Sequence, residues 1–165
     1  MQQEIFKNLI DILNREIKLY TEMRDLYTEK RAVLVKNDMD ALTNVDTRIV
    51  ENYETIKKVD VLRLDAIRLI SEDATCMTDL INIAQEKCPK FVSKLKEQQA
   101  TLNSLSSSIS VLNMTNISLI KHGMILTDKK LNIIIEACAP KGTSYSDKGT
   151  EETQNMEVST IIRDV

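Results

Sequence analysis

The residues able to do chemistry in this 165-residue chain are few and scattered. There is one histidine, His122, in "LIKHGMILTD", and three cysteines, Cys76, Cys88 and Cys138. A lone imidazole on a helix of a bundle is the arrangement that accepts a phosphoryl group in phosphotransfer domains. The surroundings differ from that family, whose Lys-Gly a few residues after the histidine is absent, so His122 reads as an exposed or half-buried helix residue. The cysteines are odd in number and far apart, which suits reduced thiols in a cytosol better than a disulfide framework. With one His and no close Cys pair, a zinc site has little to build from. Carboxylates such as Glu51, Glu54 and Asp60 fall where a solvated helix face would put them. No Gly-rich phosphate loop, G-x-S-x-G or H-E-x-x-H occurs. The chain is therefore expected to be no enzyme and to need no cofactor or metal.

The elements around these residues are more informative. The composition is 42% hydrophobic, 28% charged and 4% aromatic, with three Gly, two Pro and no Trp. So few turn-formers in so long a chain favour long helices over many short strands. From residue 3 to 36, Ile5, Leu9, Ile12, Glu16, Leu19, Met23, Leu26, Lys30 and Val33 recur at helical spacing. Phe6, Ile10, Leu13, Ile17, Tyr20 and Tyr27 run beside them, giving one broad apolar face. In "RAVLVKNDMDALTNVD" cations end one helix and aspartates open the next, as the helix dipole favours. Asn37 can take the left-handed conformation that stops a helix, and Asp38 is a good N-cap. A tight turn at Asn37-Asp38 is expected, with antiparallel helices on either side.

A second helix, residues 39–70, carries Leu42, Val45, Ile49, Tyr53, Ile56, Val59, Leu62, Ala66, Leu69 and Ile70. "SEDAT" should break it, and a short helix over 77–87 would be capped by Thr78. Pro89 marks a boundary, since the residue before a proline avoids the α conformation and proline suits a first helical turn. A third long helix follows to about residue 137. Its seam is polar or small at Gln98, Asn116, Gly123 and Lys130. The Ser-, Thr- and Asn-rich run "LNSLSSSISVLNMTN" is a mediocre helix former that needs partners. The expected fold is all-α: an elongated antiparallel bundle, or coiled-coil-like hairpin, of three long helices plus one short one. Residues 1–139 would form the helical domain, and 140–165 a mobile tail whose end, "VSTII", is apolar enough to dock.

Net charge is -3, with acids and bases mixed along the chain. No basic block points to nucleic acid. No apolar run approaches the ~20 residues of a membrane span, and "MQQEIFKNLI" has no apolar core of a secretory signal. One feature stands out from this bland background. From Ile117 to Ile135 the third long helix is apolar on more than one side. A three-helix bundle needs one stripe, so the surplus calls for a cover: the short helix, the tail, a second copy or a partner helix. Ile117, Ile120, Met124, Leu131, Ile134 and Ile135 are the candidate binding residues.

The chain resembles the FlgN family of flagellar export chaperones. The hairpin "LYTEMRDLYTEKRAVLVKNDMDALTNVD" is similar to that family's first helix, Asp-initiated turn and D-x-x-A-L opening of helix two. "LNMTNISLIKHGM" resembles its Asn followed by paired aliphatics, here Asn116, Leu119 and Ile120. "TSYSDKG" resembles its Tyr-x-x-x-Gly, here Tyr145 and Gly149. The resemblance covers the chain to about residue 150 and is poor over about 63–90. It implies a cytoplasmic chaperone that binds C-terminal helical segments of hook-filament junction proteins and delivers them to the flagellar type III export gate or ATPase complex. It also implies client binding on the C-terminal part and contact of Tyr145 and Gly149 with the export gate. The alternatives are a helical oligomer, with self-association of the client-free chain, or a secretion regulator with another helical partner.

Overall fold

The computed structural model of the protein describes residues 2–71, 74 and 76–138. They form four α-helices, α1 (Gln2–Lys36), α2 (Met39–Ile70), α3 (Met77–Lys87) and α4 (Val92–Cys138), with a 3₁₀ turn, Pro89–Phe91, before α4. No strand occurs among the described residues. The fold is a helical bundle, as the pattern predicts. The chain resolves into two compact units, Met1–Leu126 and Thr127–Val165. The described part of the second unit is the last twelve residues of α4.

The reversal between α1 and α2 has a full local explanation. Asn37 stands at φ 55°, the only positive φ outside glycine among the described residues. Its N–H donates to the Leu34 carbonyl at 3.2 Å, and the Asp38 N–H to that of Val33 at 3.4 Å. Those two bonds make the Schellman pattern, which satisfies carbonyls a helix end leaves open. Asp38 then accepts the Ala41 N–H on its Oδ1 at 3.0 Å, capping α2. At the other junction the expected cap shifts by two residues. Cys76, not Thr78, is the N-cap of α3. The reason is Asp79, whose Oδ2 accepts the Cys76 backbone N–H at 3.1 Å and faces its Sγ at 3.2 Å.

Within the first unit, α1 and α2 are antiparallel, with Lys30 on Asp46, Glu29 on Arg48, Glu22 on Asn52 and Glu16 near Arg63. Their facing residues alternate by three and four, as in a coiled coil: Leu9, Leu13, Glu16, Tyr20, Met23 on α1, and Val45, Ile49, Asn52, Ile56, Val59, Arg63, Ala66 on α2. This corrects the sequence expectation at three places. Asn52 takes the buried position assigned to Tyr53, while Tyr53, Leu62 and Leu69 are exposed. The strict three–four alternation continues through polar Asn52 and Arg63, so hydrophobicity alone picks the wrong neighbours. Lys57 instead lies over the Tyr53 ring, 4.6 Å from its centroid.

The densest packing is at one end of the unit. There Phe6, Leu9 and Leu13 of α1 meet Ala66 and Ile67 of α2, Leu80, Ile81 and Ala84 of α3, and Leu95 of α4. Phe6 and Phe91 stack with centroids 6.0 Å apart. α3 earns its place by covering this end, where two long helices and the start of a third leave an open face.

One buried pair interrupts the apolar seam. Glu16 is 3% exposed, and its Oε2 lies 3.6 Å from Arg63 Nε, too long for a hydrogen bond. Arg63 makes its close contact with Asp60 instead. Burial pushes the Glu16 carboxyl above its ordinary value; Arg63 pulls it back and Asp60 adds to the rise. The folded state thus holds the Glu16 proton more tightly than the unfolded chain does. Its effect on stability is unfavourable at neutral pH and is relieved as pH falls through the raised pKa. Glu16→Gln should therefore raise the thermal midpoint at pH 7 by a few degrees, about 1 kcal/mol. The gap to the parent should close as pH approaches the ordinary value of 4.5. Equal midpoints at pH 7 would mean that attraction to Arg63 offsets the burial cost.

Candidate functional site

α4 is joined to α1 through two buried amides. Gln98 Nε2 donates to the Ile10 carbonyl at 3.1 Å and to Asn14 Oδ1 at 2.8 Å. Asn116 Nδ2 donates to the Tyr27 carbonyl at 3.0 Å. Both side chains are 1% exposed. Their positions rise together along the two helices, so α4 runs parallel to α1 and antiparallel to α2. A buried amide without a partner is costly, so each bond holds α4 at a defined height. The two polar seam positions foreseen at Gln98 and Asn116 are thus structural anchors.

The other two polar or small seam positions behave differently. Lys130 is exposed, and a Cβ built on Gly123 would meet no atom within 4 Å, so that glycine serves no close approach. Every described residue from Lys121 to Cys138 is exposed. On the first unit Ile117 is 43% exposed, Ile120 37% and Met124 62%. On the second, Leu131 is 47% exposed, Ile134 57% and Ile135 42%. Ile117, Ile120 and Met124 are spaced by three and four, hence share one helix face. Leu131 and Ile135, four apart, share a face in the same way, with Ile134 at its edge. The side of α4 bearing Asn116 and Leu119 is the side that α1 covers. Ile117 and Met124 lie away from it, and Ile120 lies at its edge.

All six candidate residues are thus large, apolar, helical and solvent-facing. Nothing in the fold requires them to be apolar, because an exposed helix face gains nothing from isoleucine over lysine or glutamate. Met124 adds an adaptable side chain suited to varied partner surfaces. Tyr145 and Gly149 lie outside the described residues.

Among the described residues no group of three or more His, Cys, Asp and Glu could hold a metal ion. His122 is exposed on α4. Cys76 and Cys138 are exposed and Cys88 is buried, all as thiols. An open groove between α1 and α2 is lined by Glu22, Asp25, Glu29, Arg48, Glu51 and Asn52. Two polar pairs cross it, Arg48 with Glu29 at 2.8 Å and Asn52 with Glu22 at 3.2 Å. No described helix is long and apolar enough to cross a membrane.

The family model for the FlgN protein matches residues 1–153. This chain belongs to the FlgN family. The match takes in the hairpin, α3, all of α4 and both Tyr145 and Gly149. No curated protein and no solved structure matches the chain. Membership supports a general role as a flagellar export chaperone, a binding function rather than an enzymatic one, with hook-associated proteins as the kind of partner.

The exposed apolar side chains of α4 carry a direct expectation for stability. Met124→Glu and Leu131→Glu should each leave the unfolding free energy within about 0.5 kcal/mol of the parent, because both side chains face solvent. Leu95→Ala, at a site with 0% exposure, should cost about 2–5 kcal/mol. Urea titration checks all three. A loss above 2 kcal/mol for either Glu variant would show that the face is covered within the molecule.

Proposed function

We propose that this FlgN-family protein is a cytoplasmic chaperone that binds the C-terminal helical segments of hook-filament junction proteins on α4. The observation that carries this reading is the run of exposed apolar side chains at Ile117, Ile120, Met124, Leu131, Ile134 and Ile135. An amphipathic client helix presents residues at i, i+3, i+4 and i+7, the spacing these side chains match. Burial of about 1,000 Å² or more in total would suffice for a specific complex. A junction-protein end segment is built to pair with copies of itself. Laid against α4, it has its own apolar face covered and cannot assemble early.

Delivery would follow from a second contact. Tyr145 and Gly149, beyond the helix that holds the client, are the residues the family resemblance assigns to the export gate. Separating the two contacts along the chain lets the exporter engage the chaperone while the client stays bound.

The test is co-purification of the chain with the C-terminal segment of a hook-filament junction protein from the same genome, followed by mass determination of the eluted species. A stable complex is expected, weakened about 30-fold or more by Ile120→Glu or Ile134→Glu. Tyr145→Ala should leave that complex intact and reduce export. If the chain elutes without client as a self-assembled oligomer, the apolar face serves assembly and the chaperone reading of α4 fails.

A further inference from the structure

The hairpin has an open side that the α4 surface does not use. A groove of about 480 Å³ runs between α1 and α2 towards their turn, and its lining comes from those two helices alone. Leu19, in its wall, lies nine residues from Ile10, whose carbonyl holds Gln98 of α4. Nine residues are half a turn round a helix, so the groove and α4 are on opposite sides of α1. Glu22, Asp25, Glu29 and Glu51 line it, against one cation, Arg48. Asn52, 9% exposed, lines it too. Its Nδ2 donates to Glu22, and its Oδ1 has no partner. A buried acceptor left unpaired is costly, and an incoming N–H would satisfy it. We propose that this side of the hairpin docks a basic amphipathic helix of another protein, whose lysine or arginine side chains enter among Glu22, Glu29 and Glu51 and donate to Asn52. The inference does not rest on client binding at α4.

The arrangement of the carboxylates selects the kind of cation. Glu22 and Glu29 are seven residues apart, about 10 Å along α1. Among the described residues no group of three or more His, Cys, Asp and Glu could hold a metal ion. The negative charge is therefore spread along the groove. Basic residues seven apart on a helix lying in it rise by the same distance. An ammonium or guanidinium supplies in one group both the positive charge the carboxylates lack and the N–H donors the Asn52 oxygen lacks.

Away from the turn the same side becomes apolar, which calls for a helix rather than a free cation. On α1, Ile12 and Ile5 continue the line of Leu19 at intervals of seven, and both are half-buried. On α2, Leu62 and Leu69 continue the line of Thr55 in the same way and are 48% and 69% exposed. The antiparallel register set by Glu22 on Asn52 and Glu16 near Arg63 interleaves them, with Leu62 between Leu19 and Ile12. At the far end Ile5 and Leu69 line one shallow cleft. From Ile5 to Glu29 the side is about 36 Å long, the length of a 24-residue helix. An occupant with an apolar seam over one half and basic residues over the other matches both halves at once.

The probe is a fluorescein-labelled 24-residue model helix, leucine along the seam of one half and lysine at intervals of three and four along the other. Anisotropy of this peptide with the full-length chain should show binding that weakens steeply with added salt. Asp25→Lys/Glu51→Lys and, separately, Leu62→Ser/Leu69→Ser should each weaken it about tenfold with unchanged thermal midpoints, because all four side chains are exposed. Asn52→Leu should weaken it as well. Methyl NMR should move the Leu19, Leu62 and Leu69 signals and leave Ile120 and Ile134 in place. Absence of binding, or shifts confined to Ile120 and Ile134, overturns the proposal. Equal binding of spermine and of the peptide, unaffected by Leu62→Ser/Leu69→Ser, shows a cation-attracting surface without a docking helix and overturns it too. Unchanged affinity in Asn52→Leu does the same, since Asn52 would then serve the hairpin alone.

Discussion

A helix that is apolar on two sides cannot bury both against one hairpin. The architecture follows from that constraint. α1 and α2 close on each other through a three–four seam and offer α4 one side. α4 uses the face that carries Gln98, Leu105 and Asn116. What remains, from Ile117 onward, is exposed because no further described helix is available to cover it. In a chain selected only for stability those positions would be polar, since Leu or Ile at a solvated site adds nothing to the fold and promotes association. Their retention as apolar residues is the strongest statement this protein makes about function.

The polar groups inside the bundle supply register. Gln98 and Asn116 are held by carbonyls of α1 at heights separated by several turns. Sliding α4 by one turn would leave both amides buried and unpaired. Asn52 does the same for the hairpin by donating to Glu22 of α1, while Glu16 brings an electrostatic cost visible in its raised pKa. Apolar seams of Leu, Ile and Val accept slippage more readily than polar ones do. Three such points therefore hold the helices in one alignment, which in turn fixes which residues of α4 face α1 and which face solvent.

Much of this was legible in the residues. Scarce Gly and Pro, together with long three–four repeats, define an all-α chain, and Asn37-Asp38 carries a complete stop-and-start signal in two residues. The surplus apolar side of α4 shows in the pattern because local periodicity is enough to count stripes. Where the pattern misled, long-range partners decided the outcome. Tyr53 looks like a core residue and Asn52 a surface one, until Glu22 on the facing helix supplies a hydrogen bond. Thr78 looks like a cap, until the Asp79 carboxylate reaches back to Cys76. No single-chain periodicity records such pairings. That the residues of the candidate surface share one helix is visible in the pattern, but their exposure depends on which side α1 occupies.

The two-bond turn at Asn37-Asp38 also bears on how the molecule is assembled in time. The α1–α2 hairpin is complete within the first 70 residues and its contacts are local in sequence, so it can zip from the turn outward as soon as that stretch has left the ribosome. The opposite end is another matter. Phe6, Leu9 and Leu13 are buried only when Leu80 and Leu95 arrive, partners separated from them by most of the domain. A nascent hairpin therefore carries an open apolar mouth at its free end while α3 and α4 are still being made. Such closure order resembles a zipper drawn from its fixed end, with the last teeth supplied by a later strip of cloth.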